Sequence, residues 1–400
     1  MKVLIYDQHV SGHNPAWMYA MTLAALRRGC RPLVALRDAP QVNDWFGRLS
    51  EPGFERIAIE DLGDARKQLC SALQLAHERQ CHKLIFPYMD FMLGAISGAA
   101  PLLEAGSLDL GGIVLRPLLA CDGSGRRLKL AMLKCLRTSK AKMERRRLRG
   151  AIKEGYGRDI LKAHVGRGND LAMMSLDCDE HERVLGCSYP FARLGRLGVD
   201  PWLSRSHLTR AEARTKIGLP QERFIFLHCG TDDEVKGLGD AMQAWDLLPP
   251  AIRARSLLLR AGRVRNTALR ERINSSGTLI DRYIEQELLD DLYAACDCVL
   301  MPYRHHSGTS GVLIHAAAAR RPVIAPDHSV VGRLVAAHDL GRLFRHLDVA
   351  DLARAMQQAC EVPAEPGQRA SDFAQANSLD AFCEQLGDFF FGSSPECRRR

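Results

Sequence analysis

The sequence predicts two doubly wound, Rossmann-like α/β domains, each with a parallel sheet covered by helices on both faces. Short apolar runs alternate with helical patterns along most of the chain, and strands spaced by helices form parallel sheets. The chain has 400 residues, more than one core usually holds, and the alternation restarts near residue 196. We therefore expect domains at 1–195 and 196–375 with a cleft between them. In the remaining segment, 376–400, we expect a helix that returns to the first domain and a basic tail.

The first domain begins with an apolar strand at Val3–Tyr6. The helix that follows has clear boundaries, because Asn14 can cap it, Pro15 suits its first position and Gly29 can end it. Two further apolar runs predict strands at Lys83–Phe86 and Gly112–Leu115.

The second domain has a more regular alternation. Its apolar runs predict strands at Phe224–His228, Ser256–Arg260, Thr278–Ile284, Val299–Pro302 and Pro322–Ala325. Helical patterns lie at Gly237–Leu248, Glu285–Ala295, Gly311–Ala319, Val331–Ala337, Val349–Cys360 and Ser378–Phe391.

Composition excludes several protein classes. With 46% hydrophobic and 26% charged residues the chain is neither disordered nor fibrous, and it has no run of about 20 apolar residues that could span a membrane. A strand begins at once after Met1, so we expect no signal peptide. The 13 cysteines include no Cys-x-x-Cys pair, which favours reduced thiols in the cytoplasm over disulfides or a cysteine zinc site.

Three loops follow predicted strands and precede predicted helices, where ligands of parallel sheets bind. The first contains Gly12 and His13, the second runs from Gly230 to Lys236, and the third is Ser307–Gly311. A lysine or small hydroxyl residues at a helix start suit a phosphate. The alternatives are an ordinary tight turn for the first and third loops and a solvated lysine for the second. No G-x-G-x-x-G or P-loop motif is present, so a nicotinamide cofactor and nucleotide hydrolysis are not indicated.

Several segments together carry a resemblance. From Phe224 to about Cys360 the chain resembles the C-terminal domain of the family-4 retaining glycosyltransferases, which have the GT-B fold. The segments that resemble family motifs are Gly230–Gly237, Leu292–Pro302, Ala316–Ile324, Leu197–Asp200 and Gly12-His13. The chain departs from the family where Thr231 replaces a phosphate-binding arginine and where Ser307 and His315 replace a pair of glutamates. It is more similar to a variant branch without those glutamates.

The resemblance implies a glycosyltransferase that moves a sugar from a nucleotide-sugar, with retention and without a metal. A UDP- or GDP-sugar would be the co-substrate, and no further cofactor is expected. Arg263 or Arg282 could replace the missing arginine. The residues expected to act in catalysis are His13, Lys236 and Ser307. Those expected at the donor are Gly12, Gly230, Thr231, Tyr283, Gly308, Thr309, Ser310, Gly311 and His315, and Asp90 is expected to contact the acceptor.

Positive charge is concentrated in the segment 126–158, where 13 Lys/Arg accompany two Glu within a chain of net charge +8. Leu128, Met132 and Leu136 share one helical face there, as in helices that lie on anionic membranes. A glycan, a lipid-linked sugar or a small molecule would then serve as the acceptor, at the inner face of the membrane. A plain solvated helix remains an alternative. Few aromatic residues are interleaved with the charges, which disfavours nucleic acid as a partner.

Two other functions remain open. The protein could be a degenerate GT-B chain that binds a nucleotide-sugar or glycan without turnover, because both glutamates and the arginine are replaced. It could also be a membrane or nucleic-acid adaptor that acts through 126–158.

Overall fold

The computed structural model describes residues 1–10, 14–47, 49–93, 95–104, 106–114, 158–176, 189–197, 201–202, 204–230, 234–304, 309–363 and 365–392. The segment 126–158 lies outside these ranges except for its last residue. The chain divides into two compact units: Met1–Gly198 with Phe382–Arg400, and Val199–Ala381. None of the helices in the described ranges has the length and hydropathy that a membrane span requires.

Unit 1 has a parallel seven-stranded sheet in the order β3-β2-β1-β4-β5-β6-β7. Its strands are β1 (Lys2–Asp7), β2 (Arg31–Leu36), β3 (Glu55–Ala58), β4 (Lys83–Phe86), β5 (Asp109–Val114), β6 (Leu171–Leu176) and β7 (Arg193–Leu197). Its helices are α1 (Asn14–Arg27), α2 (Pro40–Phe46), α3 (Ala65–Glu78), α4 (Asp90–Leu93) and α5 (Ala100–Glu104), with a further helical stretch at 158–166. The central strands are buried on both faces, as parallel strands covered by helices must be.

The segment that follows unit 2 returns to unit 1. After Ala381 the chain packs Phe382 against Trp17 of α1, with ring centroids 6.0 Å apart. Lys83 of β4 is buried and donates from Nζ to the carbonyl of Phe390 at 2.9 Å. The Arg193 guanidinium lies 4.4 Å from the Phe389 ring centroid. Apolar rings and hydrogen bonds therefore join this segment to a sheet that lies some 200 to 300 residues earlier in sequence.

Unit 2 has a parallel six-stranded sheet in the order β10-β9-β8-β11-β12-β13. Its strands are β8 (Phe224–Cys229), β9 (Ser256–Ala261), β10 (Thr278–Ile280), β11 (Cys298–Leu300), β12 (Val323–Pro326) and β13 (Gly341–Phe344). Its helices are α6 (Arg210–Ile217), α7 (Leu238–Leu247), α8 (Pro250–Arg255), α9 (Thr267–Ser276), α10 (Gln286–Ala295), α11 (Gly311–Ala318), α12 (Ser329–His338), α13 (Val349–Glu361) and α14 (Gln368–Ala376). A last helix, α15 (Leu379–Leu386), begins in unit 2 and ends in unit 1.

Both faces of this second sheet are covered by apolar side chains. Leu227, Leu259 and Val299 pack with α10 and α11 on one side, while Phe226 and Leu258 pack with α7 and α13 on the other. Residues alternate between the two clusters along each strand, as the period of two requires. The sheet is thus a rigid support for the loops at its carboxyl edge.

Some predicted elements have different bounds in the structure. The strand predicted at Thr278–Ile284 ends at Ile280, because Asp281 turns away to accept from the backbone N–H of Val264 and to pair with Arg270. The strand predicted from Gly112 begins at Asp109. Five strands were not predicted from the sequence: β2, β3, β6, β7 and β13.

Candidate functional site

The loop after β8 carries Lys236 at the carboxyl edge of the second sheet. The strand ends at Cys229, Gly230 follows with φ +120°, and a 3-10 turn at Glu234–Lys236 leads into α7. Such an edge is where parallel sheets bind ligands. Lys236 therefore lies in the connection between β8 and α7, where the sequence predicts a loop between a strand and a helix.

Gly237 lets this turn pass close to the neighbouring strand. Its φ of +66° is left-handed, and a Cβ there would lie 1.8 Å from the carbonyl oxygen of Pro302, which follows β11. No side chain can occupy that space without displacing backbone. This close approach fixes the position of Lys236 relative to the loop after β11.

Two buried polar side chains, His228 and Arg260, donate hydrogen bonds to backbone carbonyls of this turn and of the strand before it. His228 is 1% exposed and donates from Nε2 to the carbonyl of Lys236 at 3.1 Å. Burial, with the charge of Arg260 nearby, lowers its pKa to about 3, so the ring is neutral. Arg260 is fully buried and donates to the carbonyls of His228 at 3.3 Å and Gly230 at 2.6 Å. Arg260 thus links the last residues of β8 to the loop that follows the strand.

Lys236 is also connected to the loop before α11. Its Nζ lies 4.0 Å from the centroid of the Tyr303 ring, within the range of a cation–π contact. The Tyr303 hydroxyl is 3.1 Å from Oγ of Ser310, and both side chains are buried. Lysine, tyrosine and serine from two separate loops are thus brought together.

The start of α11 is suited to an anion. Ser310, its N-cap residue, has φ +69° and makes no capping bond with its side chain, so it does not compete for the first N–H groups of the helix. The neighbouring Thr309 is 1% exposed. A non-glycine residue held in the left-handed region is strained, and such strain is found at functional sites. The N–H groups at the start of a helix and the helix dipole favour negative charge here.

His315 lies one turn further along α11. Its ring stacks on Tyr293 of α10 at 5.7 Å between centroids and 13° between planes, and the Tyr293 hydroxyl is 3.5 Å from Sγ of Cys229. Burial lowers the pKa of His315 to about 4. A neutral imidazole can exchange hydrogen bonds with a hydroxyl but carries no charge at pH 7.

The remaining predicted residues are dispersed or lie outside the described ranges. Tyr283 lies in the loop after β10 and is 44% exposed. Asp90 is the first residue of α4 in unit 1. The residues outside the described ranges are Gly12, His13, Thr231, Ser307 and Gly308. Gly311 is the first residue of α11.

Unit 1 has a polar pair at the end of β1 that the sequence analysis did not single out. Asp7 is buried, and its Oδ1 accepts from both the backbone N–H and Nδ1 of His9, at 2.8 and 2.6 Å. The hydrogen bond to Asp7 raises the pKa of His9. The D-x-H pattern after an apolar strand could have indicated this pair.

Sequence analysis also missed His228, Arg260 and Tyr303. Two of them interrupt apolar strands, since FIFLHC carries His228 and SLLLRA carries Arg260 near the carboxyl end. A polar residue at such a place is the signal that could have found them. Within the described ranges, no group of three or more His, Cys, Asp or Glu side chains is placed to hold a metal ion.

Comparison with known proteins bears on this site. Residues 223–361, which contain the whole arrangement around Lys236, match the family model of Glycosyl transferases group 1. No curated protein matches the sequence.

Solved structures resemble the chain over nearly its whole length. Sucrose-phosphate synthase from Thermosynechococcus elongatus has 16% identity and a TM-score of 0.64, with 98% of each chain covered. Anabaena HepE in complex with UDP has 15% identity and a TM-score of 0.64, covering 97% of this chain and 99% of its own. WaaG, a glycosyltransferase involved in lipopolysaccharide biosynthesis, has 16% identity and the same TM-score, covering 98% and 100%. At these identities the likeness shows the fold.

The fold is therefore GT-B, as the sequence resemblance implied. The family match over residues 223–361 agrees with the glycosyltransferase resemblance seen in the sequence.

Proposed function

We propose that this protein transfers a sugar from a nucleotide-sugar donor to an acceptor, and that unit 2 binds the donor. One observation carries the proposal: the Lys236 ammonium group lies over Tyr303, whose hydroxyl contacts the serine that begins α11. A cation and an uncapped helix start at one sheet edge form a site for a diphosphate.

The chemistry requires such a site. Breaking the glycosyl–phosphate bond leaves a diphosphate that gains negative charge in the transition state. Lys236 and the backbone N–H groups at Thr309–Gly311 would stabilise that charge, and fixed donors of this kind are typically worth about 3 kcal/mol each. His13 and Ser307 are proposed to act beside them, on the sugar or the leaving phosphate.

The donor is proposed to be a UDP- or GDP-sugar. Binding of UDP and glucose by the similarly folded HepE supports the first of these. Gly12, Gly230, Thr231, Tyr283 and Gly308 would contact the donor, with His315 bonding a hydroxyl through its neutral ring. Retention and independence of a metal are further proposals, which rest on the family resemblance.

Unit 1 is proposed to bind the acceptor, with Asp90 as a contact. A glycan, a lipid-linked sugar or a small molecule would fit this role. The basic segment 126–158 is proposed to hold the protein on the anionic inner face of the cytoplasmic membrane.

A binding protein without turnover is the second candidate. His315, which stands where the family has a glutamate, supplies no carboxylate. Release of free sugar or formation of a glycosylated product from any donor would exclude this candidate.

The test is a thermal-shift panel of UDP, GDP, ADP, TDP and CMP on the whole protein. A nucleotide at a hundred times its dissociation constant should add about 2.7 kcal/mol to the free energy of unfolding. Lys236→Ala should weaken the affinity for whichever nucleotide binds by about 1.5–3 kcal/mol, which raises its dissociation constant roughly tenfold to a hundredfold.

Lys67→Ala is the matched control, because Lys67 is an exposed lysine on α3 of unit 1. It removes the same charge and should leave the shift unchanged. If no nucleotide binds, or if both variants bind as the parent does, the proposed donor site is wrong.

A further inference from the structure

Unit 2 has a cavity at the opposite edge of its sheet from Lys236. The cavity has a volume of about 450 Å³ and lies among the amino ends of β8, β11 and β12. Volumes of about 300–1,000 Å³ are usual for small-molecule sites. Phe224 lines this cavity and lies six residues before Gly230, so at about 3.3 Å per residue the two are roughly 20 Å apart.

Four arginines and two acidic residues line this cavity: Arg210, Arg320, Arg321, Arg342, Asp297 and Glu365. Asp297 is already neutralised, since its two oxygens pair with Arg210 at 2.6 Å and with Arg214 at 2.5 Å. Arg321 and Arg342 donate to backbone carbonyls, of Tyr293, Ala294 and Val362. A carbonyl does not neutralise a guanidinium, and within the described ranges neither Arg321 nor Arg342 forms an ion pair.

Arg320 is the least expected of the four. It is the residue after the C-cap of α11, where its N–H bonds the carbonyl of Ala317 and the next N–H bonds Ala316. This is a Schellman turn, whose left-handed position glycine usually occupies. Arg320 holds it with φ +55°. An arginine kept there carries a backbone strain that glycine would avoid.

The Arg320 side chain has no hydrogen bond or ion pair with any other described residue. Capping of helix ends explains Arg321 and Arg342, because cations stabilise helix C-termini. It does not explain Arg320, whose guanidinium reaches no carbonyl. Three uncompensated arginines thus share a cavity with one exposed carboxylate, Glu365.

We propose that this cavity, defined by Arg320, Arg321 and Arg342, binds a small phosphorylated molecule. A phosphate monoester carries a charge of about −1.5 to −2 at pH 7 and three acceptor oxygens, which match several guanidinium forks. Inorganic phosphate presents the same chemistry without the organic part. The site lies apart from the proposed donor site, and its existence does not depend on sugar transfer.

The test is calorimetric titration of the whole protein with inorganic phosphate and with glucose 6-phosphate, at constant ionic strength set with potassium chloride. We expect saturable binding, tighter for glucose 6-phosphate if the cavity also accepts the organic part. Arg320→Gly should weaken both by at least tenfold. Because glycine suits a left-handed turn, this variant should fold at least as stably as the parent.

Two controls locate the binding. Arg253→Gln removes an equal charge from exposed helix α8, and Lys236→Ala disables the proposed donor site; neither should change the titration. The proposal is overturned if neither probe binds or if Arg320→Gly binds as tightly as the parent. It is also overturned if Lys236→Ala alone abolishes binding, since phosphate would then occupy the donor site.

Discussion

Replacement of Gly237 by alanine tests how the Lys236 turn is built. An alanine there adds one Cβ to a residue at φ +66°, and that atom would meet the Pro302 carbonyl oxygen at 1.8 Å. Real Cβ contacts of this kind stay beyond about 3.0 Å. Either the turn or the end of β11 must therefore move by more than 1 Å.

The expected cost has two parts. Left-handed backbone costs a residue with a Cβ about 1–2 kcal/mol. Overpacking against buried structure adds about 1–3 kcal/mol. Gly237→Ala should accordingly lower the free energy of unfolding by about 2–5 kcal/mol and shift Lys236 away from Tyr303.

Gly218→Ala separates the two parts. Gly218 has a nearly identical backbone, with φ +78°, but a Cβ there meets no atom within 4 Å. It should cost about 1–2 kcal/mol and leave nucleotide binding intact. Urea denaturation gives both values, and the thermal-shift panel gives the effect on binding. The close packing of the turn on Pro302 would be refuted if Gly237→Ala and Gly218→Ala destabilised the protein equally. It would also be refuted if Gly237→Ala bound the nucleotide as tightly as the parent.

Two further predictions concern buried polar groups. His228 has a folded pKa of about 3 against 6.5 in the unfolded chain, so its contribution is fully present above pH 6.5 and is lost as the pH falls toward 3. Over that window the free energy of unfolding should decrease with falling pH more steeply in the parent than in His228→Gln, by up to about 1.4 kcal/mol per pH unit. If plots of the free energy of unfolding against pH are parallel for the two proteins, the ring of His228 is not buried in its neutral form. Lys83→Met should destabilise unit 1 by about 1–3 kcal/mol and lower hydrogen-exchange protection near Phe390, because the carbonyl loses its buried donor. The control is Lys67→Met, at an exposed lysine, which should lower the free energy of unfolding by less than about 0.5 kcal/mol. If Lys83→Met and Lys67→Met lower it equally, the hydrogen bond of Lys83 does not stabilise the protein.

The strands at the centre of each sheet, and the edge strand β10, could be predicted from the sequence, whereas β2, β3, β6, β7 and β13 could not. Phe224–Leu227 is an uninterrupted apolar run because both faces of this strand are covered. The edge strands Glu55–Ala58 and Arg193–Leu197 are partly exposed and alternate with charges, so they give no such run. β2 carries Pro32 near its start, a residue that is unusual inside strands, although Leu33–Leu36 are buried.

The candidate site also has one part that the sequence predicts and one part that it does not. Lys236 could be predicted because its position before a helix is a local property of the sequence. The contacts of Lys236 with Tyr303 and of Arg260 with Gly230 join residues 67 and 30 positions apart, and they depend on which strands become neighbours. A sequence pattern does not determine that order.

The return of residues 382–391 to unit 1 has a consequence for synthesis on the ribosome. The surface that Phe382 and Phe390 cover belongs to elements made from the first 200 residues, but these rings emerge only after all of unit 2. Until then the nascent unit 1 presents an apolar face to solvent and Lys83 lacks its carbonyl partner. Unit 2, whose residues are contiguous, can complete its own fold first, although its synthesis begins later.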